Sequence, residues 1–294
     1  MGTRFHLVIE GVEGATADRI GESVLREVER IDALLNTWDS STPLSRINDA
    51  QPGSWTAMDG ELGALVREAA DWSDATSGAF EARIGSLVDA WDLRGSGRTP
   101  RAGELAEALT SSGPTAVEIA EQGLMRSSGA AWIDSGGFGK GAALRAARRL
   151  IDTGPLPGDA RVLLDLGGQV LALAPIASPW IVDVAHPLRR SESAAGLSVH
   201  DRSVSTSGSS ERGSHILDPR SGHPVDPWGS VTVVDVDAYA ADALSTALYV
   251  MGPRAGHAWA QQAGVAALFL ELADGSVVAS WSAAMEMWLV DKER

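Results

Sequence analysis

The sequence predicts an α+β fold in which helices pack on antiparallel and mixed sheets, and three patterns predict it. Strand-like runs occur as adjacent pairs around glycine turns, as at Arg161–Leu166 and Gln169–Leu173 flanking Gly167-Gly168. Amphipathic helical stretches separate those pairs instead of alternating with single strands, which disfavours a doubly wound parallel sheet. With 294 residues and 44% hydrophobic content, the chain can bury a sizeable core as one large domain or two closely joined halves. No repeat, low-complexity tract or linker divides it, so 1–294 is taken as one domain.

In order, the first ten residues read as a strand, and 16–36 places Ile20, Val24, Leu25, Val28, Ile31, Leu34 and Leu35 at helical spacing. Thr37-Trp-Asp-Ser-Ser-Thr-Pro is turn chemistry, closed by Ser45-Arg-Ile-Asn48 before Pro52-Gly53. A helix is predicted over 59–76, stopped by Ser77-Gly78; 79–93 is apolar without a clear period, and 94–101 reads as a loop. A helix from Lys140 to about Ile151 precedes the paired strands at 161–173. Further strands are predicted at 180–185, near Leu197 and at 230–236, then a helix over 239–251 and another ending at Gly264. A final hairpin turns at Ala-Asp-Gly-Ser276, between 266–272 and 277–281.

A net charge of −15 argues against a general nucleic-acid or membrane-surface binder, which needs a basic face. Any anionic ligand is expected to be held locally, with a metal's help. The absence of cysteine excludes disulfides, thiolate catalysis and cysteine-ligated metal sites. No apolar run approaches a bilayer span, and the N-terminus lacks the basic start and apolar middle of a signal peptide. The expectation is a cytoplasmic protein, or an exported one if the chain has been trimmed.

Two lysines, Lys140 and Lys292, stand against twenty-two arginines, and Lys140 lies in Asp134-Ser-Gly-Gly-Phe-Gly-Lys140-Gly141 at the mouth of a helix. Arginine is a planar fork and lysine a compact charge on a slim stem, so a glycine-walled slot admitting only the second would explain the choice. A solvated helix-start lysine is the plain alternative. The spacing fits neither usual nucleotide loop: a P-loop would need Gly where Asp134 stands and Ser or Thr at Gly141, and Gly137, Gly139 and Gly141 do not follow Gly-x-Gly-x-x-Gly. What remains is a backbone able to approach a ligand, followed by helix amides that attract anions.

Asp242 and Thr246 lie four residues apart on a helix, so a carboxylate and a hydroxyl point the same way, as half a shell for Mg²⁺. Alone, the pair is more simply read as an acid at a helix start and a threonine bonding the carbonyl a turn back. Thr206-Ser-Gly-Ser-Ser-Glu211 reads as a hydroxyl-rich turn at a strand end. His215-Ile-Leu-Asp-Pro-Arg-Ser-Gly222 reads as a short strand ending in a turn; histidine is the side-chain type suited to proton transfer near neutrality, and a buried, satisfied core histidine is the plain alternative.

In order along the chain, these pieces resemble the ApbE family of FAD:protein FMN transferases. The resemblance rests on Met1-Gly-Thr3, Asn36-Thr-Trp38 with Ser45-Arg-Ile-Asn48, Gly78-Ala-Phe-Glu81 to Trp91, and the Asp134 to Gly141 segment. It continues through Asp165-Leu-Gly-Gly168, Thr206-Ser-Gly208, the His215 to Gly222 segment, and Ala241-Asp-Ala-Leu-Ser-Thr246-Ala-Leu. It implies the ApbE-like fold and a Mg²⁺-dependent enzyme, with Mn²⁺ as an alternative metal, that takes FAD as substrate. FMN would pass to a threonine or serine of an acceptor protein with release of AMP. The family's metal ligands fall on Asp242, Thr246 and the Gly137 carbonyl, with Lys140 beside the phosphates and Gly139 in their cradle. Flavin or adenosine contacts fall on Met1, Trp38, Glu81 and the turn of Thr206, Ser207 and Gly208; His215 is the candidate general base. The alternatives are an FAD pyrophosphatase giving FMN and AMP, and an FAD-binding protein without turnover. Three positions depart from the family pattern: Ala142 replaces an aromatic, Arg145 an aspartate, and Glu81 the shorter aspartate.

Overall fold

Seven helices and twelve strands make up the described part of the chain. In the computed structural model this comprises residues 3–154, 157–208, 215–273 and 275–290. The N-terminal half runs β1 (Phe5–Glu10), α1 (Gly14–Leu35), α2 (Pro43–Asn48), β2 (Trp55–Thr56), α3 (Gly60–Ala75), α4 (Gly85–Ala90), α5 (Ala102–Thr110), β3 (Val117–Ala120) and β4 (Gly123–Arg126). There follow α6 (Gly139–Asp152), β5 (Arg161–Leu166), β6 (Gln169–Leu173), β7 (Trp180–Ala185), β8 (Ser193–Val199) and β9 (Arg202–Gly208). The chain ends with β10 (Gly229–Asp235), α7 (Ala238–Ala263), β11 (Ala266–Ala273), β12 (Ser276–Trp281) and a 3₁₀ turn at Ala283–Trp288.

The chain forms two compact units. Met1–Ile31, Gly139–Gly213 and Pro227–Arg294 make the first; Asp32–Phe138 and Ser214–Asp226 make the second. In the first, seven strands pair in the order β1-β5-β6-β9-β10-β11-β12, and every pairing is antiparallel. The expected α+β class is therefore present, with purely antiparallel described pairings. One face of this sheet carries Val204, Val234, Ala266, Leu268 and Leu270, which bury against Val184 and Leu197 of the β7–β8 pair and Met285 and Trp288 of the 3₁₀ turn. The opposite face lies under α6 and α7, and between them the layers remove two apolar surfaces from water. The second unit packs α2, α3, α4 and α5 with a three-stranded sheet, β2-β4-β3.

Local chemistry explains most of these boundaries. Gly167 and Gly168 both have positive φ, 60° and 86°, as a two-residue hairpin turn requires, and the Asp165 carboxylate accepts the Gly168 amide at 2.8 Å. The helix begun at Ala238 breaks where Gly252 (φ 78°) precedes Pro253, the point at which two helices are predicted. Its far end is capped by left-handed Gly264 (φ 70°). Sequence pattern misses α2, α4 and α5; the first two, of six residues each, are too short to show two full turns of periodicity. The predicted strand at His215 is reduced to one bridge, Leu217 with Pro224, because the chain folds back within six residues around Gly222 (φ 73°).

Candidate active site

Helices α6 and α7 meet at their N-termini, and there the first unit gathers its chemistry. Lys140 Nζ lies 3.0 Å from Asp242 Oδ1, while the Gly141 amide donates to Asp242 Oδ2 at 2.9 Å. The expected anion at the start of α6 is thus Asp242 itself, drawn from α7 to a free helix amide and an ammonium. Asp242 is 3% exposed, and its carboxylate is balanced on both oxygens. The Lys140 side chain stays 30% exposed, so its charge is shared with solvent.

Gly141 is glycine for a different reason from a ligand slot. A Cβ there would stand 2.4 Å from the Ala238 carbonyl oxygen, 2.7 Å from Tyr239 Cα and 2.8 Å from Asp242 Cβ. The missing side chain lets the backbone of α7 touch that of α6, which brings Asp242 within reach of Lys140. This corrects the glycine-walled slot at Gly141, whose wall is the adjacent helix. Gly139 is the first residue of α6 and is buried.

A second clamp joins the same helices. Asp237 caps α7 by accepting the Tyr239 amide at 3.0 Å, and Arg145 Nε donates to the same Asp237 oxygen at 2.6 Å. A further Arg145 nitrogen bonds the other oxygen, and the guanidinium lies 4.5 Å from the Tyr239 ring centroid. Arg145, where the family resemblance leads one to expect an acid, is therefore matched by an acid of its own, and Ala142 is buried.

Along α7, Thr246 Oγ1 donates to the Asp242 carbonyl at 3.3 Å, the back-bond expected of a threonine one turn on. Ser245 is fully buried; its hydroxyl bonds the Asp242 carbonyl at 3.0 Å and meets Ser205 and Ser207 at 3.1 and 2.9 Å. This hydroxyl chain ties β9 to the metal-candidate turn of α7. The i, i+2 spacing of Ser205 and Ser207 on a strand was its one sequence signal, and Ser245 had none.

The expected turn at Thr206, Ser207 and Gly208 is strand. Thr206 pairs with Thr232, Ser207 with Val231 and Gly208 with Ser230, so β9 continues to Gly208 because β10 offers it a full ladder. Strand alternation then sends Ser207 towards α7, while the Thr206 hydroxyl meets that of Thr232 at 2.8 Å on the other face. Residues 209–211 of that segment, and Met1, lie outside the described residues.

In the second unit, Trp38 is 72% exposed on a braced loop. Thr42 Oγ and Ser45 Oγ donate to the Asn36 carbonyl at 2.5 and 3.1 Å, and the Asn36 side chain accepts the Trp38 amide at 2.8 Å. Gly137 belongs to this unit and follows an Asx turn in which Asp134 Oδ2 accepts the Gly136 amide at 2.8 Å. Glu81 is buried and occupied: Arg83 Nε and a terminal nitrogen bond its two oxygens at 2.7 and 2.8 Å, and Ser73 donates at 2.7 Å. The extra methylene relative to aspartate serves this internal pair. His215 is half-buried at the start of a tight loop, where Asp218 N to His223 O and Gly222 N to Asp218 O are both 2.8 Å. That loop docks through Leu217 and through Trp91, whose indole donates to the Gly222 carbonyl at 2.8 Å.

Among the described residues no three His, Asp or Glu side chains converge on a metal position. The donor set at α7 is one carboxylate and one hydroxyl, with lone pairs left on Asp242 and Thr246, and all of it is hard oxygen. That fits a Mg²⁺ ion completed by waters and phosphates rather than a closed protein cage.

The fold is an antiparallel sheet covered by two clamped helices, with a lysine, a carboxylate and hydroxyls gathered at the helix N-termini. The chain belongs to the ApbE family, whose pattern it matches over residues 1–269. It is similar to the FAD:protein FMN transferase of Klebsiella pneumoniae, with 26% identity over 96% of this chain and 85% of that one. The ApbE protein of Thermotoga maritima superposes with a TM-score of 0.88 at 28% identity, covering 99% of this chain and 97% of its own. The flavinyl transferase ApbE of Pseudomonas stutzeri gives 0.81 at 25% identity, over 97% and 96%.

Proposed function

We propose that this protein is a flavin transferase that moves FMN from FAD onto a threonine or serine hydroxyl of an acceptor protein and releases AMP. Family membership supports the transfer of flavin, and the Lys140, Gly141 and Asp242 cluster is the observation that carries the phosphate chemistry. In the proposed reaction the acceptor oxygen attacks the FMN-side phosphorus, the bond to the AMP phosphate oxygen breaks, and the hydroxyl proton leaves to a base. His215 is our candidate for that base, on the strength of the motif it opens.

Asp242 and Thr246 are the side chains that would hold Mg²⁺, which would supply charge neutralisation at the pyrophosphate. Lys140 would add a cation at the same end of α6, where its ammonium lies 3.0 Å from Asp242 Oδ1. Ser245 fixes the turn that carries both candidate ligands. In a chain of net charge −15, positive potential would have to be supplied locally, and a Mg²⁺ ion at Asp242 and Thr246 together with Lys140 would supply it in this reading.

Purified protein incubated with FAD and Mg²⁺, with and without a candidate acceptor, tests the reading. The expected result is AMP released one-for-one with acid-stable flavin on the acceptor, and only when the acceptor is present. AMP and free FMN regardless of acceptor would make the protein a pyrophosphatase. Bound FAD without AMP would make it a flavin carrier, and undiminished AMP release in excess EDTA would refute the metal.

A further inference from the structure

Beside the Trp38 ring lies Arg94, a residue that neither the family resemblance nor the motifs single out. The Arg94 guanidinium carbon lies 4.3 Å from the Trp132 ring centroid and 5.2 Å from that of Trp38, so a cation is in contact range of two indoles. Its edges are used as well. Arg94 donates to the Thr37 carbonyl at 2.8 Å, to the Thr37 hydroxyl, and to Asp134 Oδ1 at 3.0 Å. The far indole is fixed in turn, since Trp132 Nε1 donates to Asp89 at 2.8 Å and its ring fills the space a side chain at Gly85 would need.

An exposed indole on a loop would normally lose rotamer freedom when a ligand stacks on it, and that loss subtracts from affinity. Here a guanidinium lies 5.2 Å from the ring centroid and donates to the Thr37 carbonyl of the loop, an arrangement that would bias both ring and backbone before a ligand arrives. Lysine could supply the charge but not the fork. Through Asp134, Arg94 also joins the Trp38 loop to the Asx turn that opens the glycine-rich segment.

We propose that Arg94 is a positioning residue for substrate binding, holding Trp38 as a prearranged stacking platform for a planar ring of FAD. This rests on the flavin-transferase reading. The test measures FAD, FMN and ADP binding by tryptophan quenching or calorimetry, and KM and kcat for FAD, in wild type, Arg94→Gln, Arg94→Lys and Trp132→Leu. Arg94→Gln is expected to raise the FAD Kd and KM about tenfold, with kcat at saturation within about twofold. Arg94→Lys should not rescue it, and Trp132→Leu should raise Kd about threefold. The loss should follow only one of FMN and ADP, the one whose ring stacks on Trp38. A folded Arg94→Gln that binds FAD within twofold of wild type, or loses FMN and ADP equally, overturns the proposal. If Arg94→Gln does not fold, an unchanged FAD Kd in Trp132→Leu overturns it instead. Wild type that binds no FAD removes the transferase reading and this platform's substrate with it, an outcome distinct from variants that bind as wild type does.

Discussion

Replacing Gly141 by alanine asks for the smallest addition the chain can receive at the α6–α7 contact. The new carbon would meet the Ala238 oxygen at 2.4 Å, close to 1 Å inside ordinary contact, and it faces backbone that cannot rotate away. The helices must separate, which costs about 2 kcal/mol as overpacking. Separation also stretches the Lys140 and Gly141 bonds to Asp242; hydrogen bonds to charged groups contribute roughly 1.5–3 kcal/mol each, and partial loss of two adds about 1–2. A total near 3–4 kcal/mol corresponds to a fall in melting temperature of roughly 5–7 °C for a chain of this size. Gly103 in the first turn of α5 has nothing within 4 Å of its added carbon, so Gly103→Ala should hold or raise the melting temperature. Thermal melts of both variants by circular dichroism provide the check. Gly141→Ala melting within a degree of wild type would mean that the helix contact does not set this glycine.

Lys140→Arg should keep the fold yet lower kcat/KM for FAD at least about tenfold, equivalent to roughly 1.4 kcal/mol, because a planar fork replaces a point charge beside Asp242; wild-type turnover would refute the requirement. Asp242→Asn should both flatten the Mg²⁺ dependence of activity and lower stability by about 1–2 kcal/mol, since an amide that accepts from Gly141 turns its NH₂ towards Lys140. A Mg²⁺ titration and a melt read the two effects, and an unchanged titration would leave Asp242 a purely structural acid. Asp235 is pushed up from the ordinary aspartate range, chiefly by burial and with the nearby Asp237 charge adding to it. A raised carboxyl pKa means that its charged form opposes folding above that pKa and has no effect below the unfolded value, so Asp235→Asn should stabilise at pH 7 and lose the advantage in acid. Melts from pH 3 to pH 8 that show no such convergence would refute it.

What was legible in the sequence was local. The Gly167-Gly168 hairpin, the break at Gly252-Pro253 and the stop at Gly264 each depend on a φ that only neighbouring residue types dictate, so pattern and structure coincide there. Short helices such as α4 have too few turns for periodicity, and their positions come from packing, as when Leu87 and Ala90 meet Leu217 from far along the chain. The site residues divide in the same way. Lys140 and Asp242 carry chemical type in the sequence, but their pairing across a hundred residues is a product of the fold. The parity of Thr206 and Ser207 could have been read only by knowing that the strand continues to Gly208, which β10 decides.

The two departures on α6 show why residue types at a site are best judged in pairs. An arginine at position 145 where an acid is usual would place a cation near the start of α7, but Asp237 accepts it on both oxygens and the Tyr239 ring covers its plane. The Arg145 charge is therefore matched within the helix pair, and it becomes a second tie between the helices that Lys140 and Asp242 already join. Removing one member, as in Arg145→Met, would leave Asp237 with its cap bond alone and should loosen α7 at the turn that carries Asp242. The double variant Arg145→Met with Asp237→Asn keeps a capping side chain and removes the charge pair, so it should recover much of the loss. Recovery in Mg²⁺-dependent activity as well as in melting temperature is what distinguishes a clamp on the site from a stray surface ion pair.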